Sequence, residues 1–246
     1  MINNCTNGAV PMVQLLFPCL LKGCYKPVKA TFRPLVKVMG LSKSYGRRRV
    51  LNQLEFELMP GSGLVVKGSN GSGKTTLLGI LSTISRFDEG LIEVCGTNTL
   101  HDPAAVRSKI GFVAHTPYLY PQLTVKENLV FFSRLYLVSS ETLDRNVLLA
   151  DMGLDTRLNQ RVSTLSHGFQ KRVSIVRALL HRPSVLLLDE PETGLDEETV
   201  IVLRRLIESF LADGGSVILT THLENIDYGV EMDNLFLERG KLIALA

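Results

Sequence analysis

Gly68-Ser69-Asn70-Gly71-Ser72-Gly73-Lys74-Thr75 follows the apolar run Leu64-Val65-Val66-Lys67 and precedes a stretch with helical spacing from Thr75 to Ile84. Strand, glycine-rich loop and helix in this order make a P-loop. The glycines let the backbone curl, its N–H groups surround phosphate oxygens, and the lysine adds a positive charge. Lys74 is therefore expected to reach the β- and γ-phosphates of a nucleotide. The Thr75 hydroxyl is expected to ligate Mg²⁺, a hard cation served by oxygen ligands. With Thr76, these residues form the candidate phosphate cradle; a glycine-rich turn without ligand is the alternative. Many unrelated ATPases and GTPases share a P-loop, so the stretch points to an α/β fold without choosing among their activities.

Two further apolar runs, Val185 to Leu188 and Val217 to Leu219, are bounded by polar residues, as buried parallel strands are. The first ends at Asp189-Glu190 and the second at Thr220-Thr221-His222. Ligands of such sheets sit beyond the carboxyl ends of the strands, so Lys74, Asp189, Glu190 and His222 are expected to converge on one crevice. Asp189 is expected to hold Mg²⁺ through water, and Glu190 to take a proton from an attacking water. A solvated Asp-Glu pair is the plainer reading, but this one follows four apolar residues and precedes Pro191. Leu35 to Val38 and Leu54 to Leu58 alternate at the strand period and predict a half-exposed antiparallel pair. Between Gly111 and about Arg177 the pattern is helical (Val125 to Leu137, Glu141 to Met152, Phe169 to Leu180), with no strand-like run between.

Leu165-Ser166-His167-Gly168-Phe169-Gln170, closely followed by the Asp189-Glu190 strand, resembles the signature of the ATP-binding cassette (ABC) ATPases, and the likeness runs from about Leu35 to the C-terminus. It implies a P-loop NTPase cassette over 35–246 with a mainly parallel central sheet, an antiparallel β edge and an inserted helical subdomain at about 115–177. It also implies that two cassettes clamp two ATP molecules head to tail, the P-loop of one facing Ser166 and Gly168 of the other. A helix beginning near Phe169 would point free N–H groups at that phosphate; an ordinary N-cap is the alternative for Ser166. His167 and Phe169 stand where the family usually has other residues. By the same resemblance His222 is the switch histidine at the γ-phosphate, Asp196 lies in the loop linking the two sites, and Tyr45 stacks on adenine unless it is a buried structural tyrosine. His115 stands where the family generally has a glutamine that ligates Mg²⁺. Because Mg²⁺ prefers oxygen, His115 is expected to act through water or in coupling to a membrane partner. That histidine, with the stretch after it, resembles the ATP-binding subunits of cytochrome c-maturation haem exporters, and general similarity extends to multidrug, polysaccharide or lipid exporters.

At 246 residues and 45% hydrophobic content the chain can bury one substantial core. No internal repeat appears, so one cassette is expected. No apolar run reaches the ~20 residues of a membrane helix, so the chain is not expected to span a bilayer by itself; the resemblance implies a place on the cytoplasmic face of a membrane beside a separate permease. Cys5, Cys19, Cys24 and Cys95 lack zinc-site spacing and read as reduced thiols. Residues 1–50 carry no Asp or Glu and most of the excess positive charge, outside or at the edge of the nucleotide domain, so nucleic acid is not an expected partner. Residues 1–34, interrupted by Pro11, Pro18, Pro27 and Pro34, read as an appendage: a start assigned too far upstream, a disordered or membrane-surface tail, or an acid-poor targeting segment. A soluble ABC ATPase without a transport role is the alternative class, though such proteins usually pair two cassettes in one chain.

Overall fold

The computed structural model describes residues 33–139, 147–223 and 228–244. The expectations for residues 1–34 fall almost wholly outside them.

Two sheets organise the described chain. Strands β1 (Val36–Tyr45), β2 (Arg48–Leu58), β4 (Glu89–Val94) and β5 (Thr97–Asn98) form an antiparallel sheet in the order β2-β1-β4-β5. Strands β3 (Gly63–Lys67), β6 (Ile110–Val113), β7 (Val185–Asp189), β8 (Ser216–Thr221), β9 (Asp233–Glu238) and β10 (Lys241–Ala244) form a second, in the order β10-β9-β3-β8-β7-β6. All its neighbours run parallel except β10 and β9. The mainly parallel sheet predicted from β3, β7 and β8 is present, and the predicted antiparallel pair is half of a separate four-stranded sheet.

The continuous apolar runs have a physical explanation in the core. Leu64, Val66, Val185, Leu187 and Ile218 pack on one side of the parallel sheet, against β1, β2 and helix α1 (Lys74–Leu81). Val65, Leu186, Leu188, Val217 and Leu219 pack on the other side, with helices α3 (Val125–Leu135), α4 (Val147–Asp151), α5 (His167–Leu179) and α6 (Glu197–Ala212). With both faces covered, alternation vanishes from the sequence, and each buried Leu or Val contributes about 1.5–3 kcal/mol. Short helix α2 (Pro103–Arg107) leads into β6. No described helix is long and apolar enough to cross a membrane.

The structure corrects the helical reading of the segment from Gly111. Gly111 to Val113 belong to β6, the edge strand beside β7, and four residues are too few to show a period. Helix α3 stops at Leu135, and Leu137 turns left-handed at φ +56°. Helix α5 starts at His167, two residues before the expected Phe169, because Ser166 caps it. Of Glu141 to Met152, the part up to residue 146 lies outside the described residues and Val147–Asp151 is helical.

Candidate nucleotide site

The phosphate loop leaves the carboxyl end of β3 and enters α1 at Gly73, whose φ of +113° would strain any residue with a Cβ. Gly73 caps α1 without a side-chain acceptor, so the first N–H groups of the helix are free of capping partners and face the loop. Lys74 is buried, and its Nζ donates to the carbonyls of Gly68 at 2.7 Å and Ser69 at 3.3 Å, folding the ammonium across the loop. Ser69, Asn70, Gly71 and Thr75 are exposed, while Ser72 and Thr76 are half-buried. Ser72 Oγ has no hydrogen-bond partner although its surface is sealed from solvent. Arg48, just past the β1–β2 turn, donates to the Gly71 carbonyl at 3.2 Å and brings that hairpin to the loop. At the same turn Tyr45 is 55% exposed under the Lys43 ammonium, which excludes the buried-tyrosine alternative.

The carboxyl ends of β3, β8 and β7 lie in register, Lys67 beside Thr221 and Thr220 beside Asp189. Asp189 is 1% exposed; its Oδ1 accepts the Thr220 hydroxyl at 2.6 Å, and its Oδ2 has no partner. An orphaned carboxylate oxygen beside a phosphate loop suits a hard cation, since leaving it unpaired costs about 1–3 kcal/mol or more. The donor set predicted for Mg²⁺, Thr75 and Asp189, therefore fits the group chemically. Glu190 turns the chain off the strand at φ +47°, a conformation costing about 1–3 kcal/mol, held by its N–H bonding the Thr220 carbonyl at 3.1 Å. The turn leaves its carboxylate between two imidazoles: His222 Nδ1 is 3.4 Å from Oε1 and His115 Nδ1 is 3.8 Å from Oε2. Asp189, Glu190, His115 and His222 are thus brought together.

Ser166 and Asp196 belong to a second surface. Ser166 Oγ accepts the Phe169 N–H at 3.4 Å as the cap of α5. A Cβ on Gly168 would fall on the Gly194 carbonyl oxygen, so the start of α5 and the Gly194-Leu195-Asp196 loop touch backbone to backbone. Asp196 caps α6, and the Thr199 hydroxyl and N–H together with the Arg172 guanidinium at 2.6 Å hold its carboxyl below the ordinary range. Phe169 lies between the Arg157 and Arg172 guanidiniums, at 4.1 and 4.6 Å from its ring centre.

Sequence reasoning missed three groups behind the site. Lys171 is fully buried on α5, and its Nζ donates to the carbonyls of Asp189 at 3.0 Å and Ala114 at 3.3 Å. Burial pulls its ammonium pKa down, and the charges of Asp189, Glu192 and Glu190 oppose that pull. Glu192 accepts the Thr221 hydroxyl through Oε1 and the Tyr228 hydroxyl through Oε2 at 3.0 Å, and burial pushes the Tyr228 phenol up. A signal for Lys171 existed: it shares a helix face with buried Ser174 and Ala178.

A family model described as ABC transporter matches residues 51–193. The Nod factor export ATP-binding protein I of Paraburkholderia xenovorans is 38% identical over 74% of this chain and 60% of its own length. The linearmycin resistance ATP-binding protein LnrL of Bacillus subtilis is 30% identical over 86% of this chain and 68% of its own length. A solved dimeric ATP-binding cassette in a post-hydrolysis state, bound to ADP and phosphate, is 28% identical with a TM-score of 0.73, over 84% of this chain and 96% of that one. The chain spans about three fifths of the length of the Nod factor export relative.

Proposed function

Because this chain belongs to the ABC transporter family, we propose that it hydrolyses ATP as the nucleotide-binding subunit of an export complex, paired with a second cassette on the cytoplasmic face of a membrane-embedded permease. The observation that carries the reading is the placement of Glu190: a left-handed turn at the end of β7 holds its carboxylate between His115 and His222, beside the orphaned oxygen of Asp189. In phosphoryl transfer the protein mainly positions groups and neutralises charge. Lys74 exchanges its loop carbonyls for phosphate oxygens, and the free N–H groups of the loop take the remaining charge. Glu190 accepts the proton of the attacking water, while His222 holds that carboxylate in place. Thr75 and, through water, Asp189 would hold Mg²⁺, which would supply positive charge against the phosphates. Tyr45 receives the adenine ring. Ser166 and Gly168 meet the nucleotide of the paired cassette, and Asp196 links the two sites.

The helical region 115–177 is the lobe we assign to the permease. Tyr118, Phe132 and Tyr136 of this region line an apolar cleft together with Ile84 and Phe112, and Arg107, Arg177 and His181 also line it. The exported molecule follows the relatives only in class: their names give Nod factor export and linearmycin resistance, which fits the general exporter reading. The haem-export reading rests on His115 and draws no support from those names.

Glu190→Gln is the test. The variant should bind ATP as the parent does and lose turnover by about 10²–10⁴-fold, the usual worth of a positioned base. Hydrolysis at the parental rate would overturn the assignment of Glu190. Recovery of a multi-helix membrane protein with the tagged chain tests the export reading separately, and ribosomes or DNA in its place would overturn that part.

A further inference from the structure

Lys171 has no part in the chemistry above, yet it is a fully buried cation among the described residues of the site. It sits one turn into α5, with 0% exposure, and spans from that helix to the carbonyls of Ala114 and Asp189. Each carbonyl immediately precedes a residue flanking the reaction: Ala114 leads into His115, and Asp189 into Glu190. One side chain thus ties the helix capped by Ser166 to both strand ends that carry the polar groups. The neighbouring Arg172 faces the other way and holds the Asp196 loop at 2.6 Å, with a second bond to the Met152 carbonyl at 3.2 Å.

Packing alone does not account for a cation here. An unbranched apolar side chain of the same length would fill the space without burying a charge, but it would leave the Ala114 and Asp189 carbonyls without this donor. What the ammonium adds is a set of donors that can hold two carbonyls at once, with charge-assisted strength. Resting on the function proposed above, we infer that Lys171 is a positioning residue that passes engagement of the Ser166–Gln170 turn by the paired cassette's nucleotide to the strand ends bearing His115 and Glu190. Packing between elements has discrete arrangements and does not deform continuously. A shift of α5 is therefore carried through this tie as a unit, and closure of the second cassette adjusts the strand ends on which Glu190 and His115 already meet.

The experiment compares Lys171→Met with the parent in the purified full chain, at concentrations where the parent turns over. Turnover is read against ATP concentration. ATP-driven dimer formation is read by size exclusion, with Glu190→Gln present in both chains to prevent hydrolysis. The expected result is a kcat lower by about tenfold or more, a KM for ATP within about threefold, and an ATP-driven dimer that still forms. Unchanged kcat overturns the inference. So does loss of the ATP-driven dimer, since Lys171 would then shape the Ser166 turn itself and transmit nothing. If the methionine chain does not fold, Lys171→Gln, which keeps a donor one atom shorter, is read by the same two outcomes. Failure of the Glu190→Gln chain with native Lys171 to form any dimer with ATP would instead strike the two-cassette reading beneath the inference.

Discussion

A single methyl group decides whether the start of α5 can meet the Asp196 loop, because a Cβ at Gly168 would clash with the Gly194 carbonyl oxygen. Two effects oppose each other in Gly168→Ala. Alanine gains up to about 1 kcal/mol of helix propensity, whereas forcing an atom into a filled backbone contact costs typically about 1–3 kcal/mol. The contact wins, so the variant is expected to lose about 1–2 kcal/mol in urea unfolding and most of its ATP-driven dimerisation. A variant of raised stability with full turnover would show that the two loops need not touch. At this scale the sequence was readable wherever residue type alone carries the chemistry: Lys74 after its glycines, and Asp189-Glu190 after four apolar residues. It was not readable where the backbone decides. Nothing in the letter Glu announces a φ of +47° at position 190, nor that His115, 75 positions earlier, closes to 3.8 Å of its carboxylate. Those depend on the register of β6, β7 and β8, which is a property of three separated segments.

Helix α3 offers the clearest case at the scale of an element. Thr124 and Glu127 form a capping box: the Thr124 hydroxyl accepts the Glu127 N–H at 3.2 Å, and the Glu127 carboxylate accepts the Thr124 N–H at 2.8 Å. Asn128, fully buried one turn in, bonds Tyr120 and Thr124 and fixes the chain entering the helix. Thr124→Ala should cost about 0.5–2 kcal/mol, seen as a lower midpoint in thermal or urea unfolding. The box also has a pH signature. The Thr124 N–H, then its hydroxyl, hold the Glu127 carboxyl below its ordinary 4.5. A carboxyl depressed on folding contributes stability that is present above the unfolded value and lost as pH falls through the folded one. Alanine keeps the backbone N–H, so only the share of the penalty owed to the Thr124 hydroxyl on the Glu127 carboxylate should be present at pH 7 and lost below about pH 4; a penalty independent of pH would mean that this hydroxyl–carboxylate bond contributes nothing. The sequence announced α3 because its apolar residues recur at helical spacing. It did not announce β4, β9 and β10, whose half-exposed residues mix Glu, Asn and Asp with Leu, or α6, whose start is set by the Asp196 side chain bonding the Thr199 N–H.

For the whole molecule, the candidate groups fall into two sets, the phosphate loop with its carboxylates and the Ser166 turn with the Asp196 loop. If each chain supplies half of two sites, ATP is part of the surface that joins them, and binding linkage requires that nucleotide raise the dimer population. Hydrolysis removes the γ-phosphate from that surface and lowers it again. Turnover per chain should therefore depend on chain concentration. In dilute solution, where monomers dominate, the rate per chain should rise nearly in proportion to concentration, then level off once pairs dominate. Added salt should move the midpoint upward if charged groups carry much of the pairing. Glu190→Gln should behave in the opposite sense to an ordinary damaging substitution: it removes turnover and enlarges the ATP-bound dimer, because the γ-phosphate that joins the pair is no longer lost. Light scattering with ATP and a dilution series of initial rates measure both quantities on one preparation. A rate per chain that stays constant from nanomolar to micromolar while scattering reports a monomer would mean that one chain completes its own site, and the roles given to Ser166, Gly168 and Asp196 would fall together.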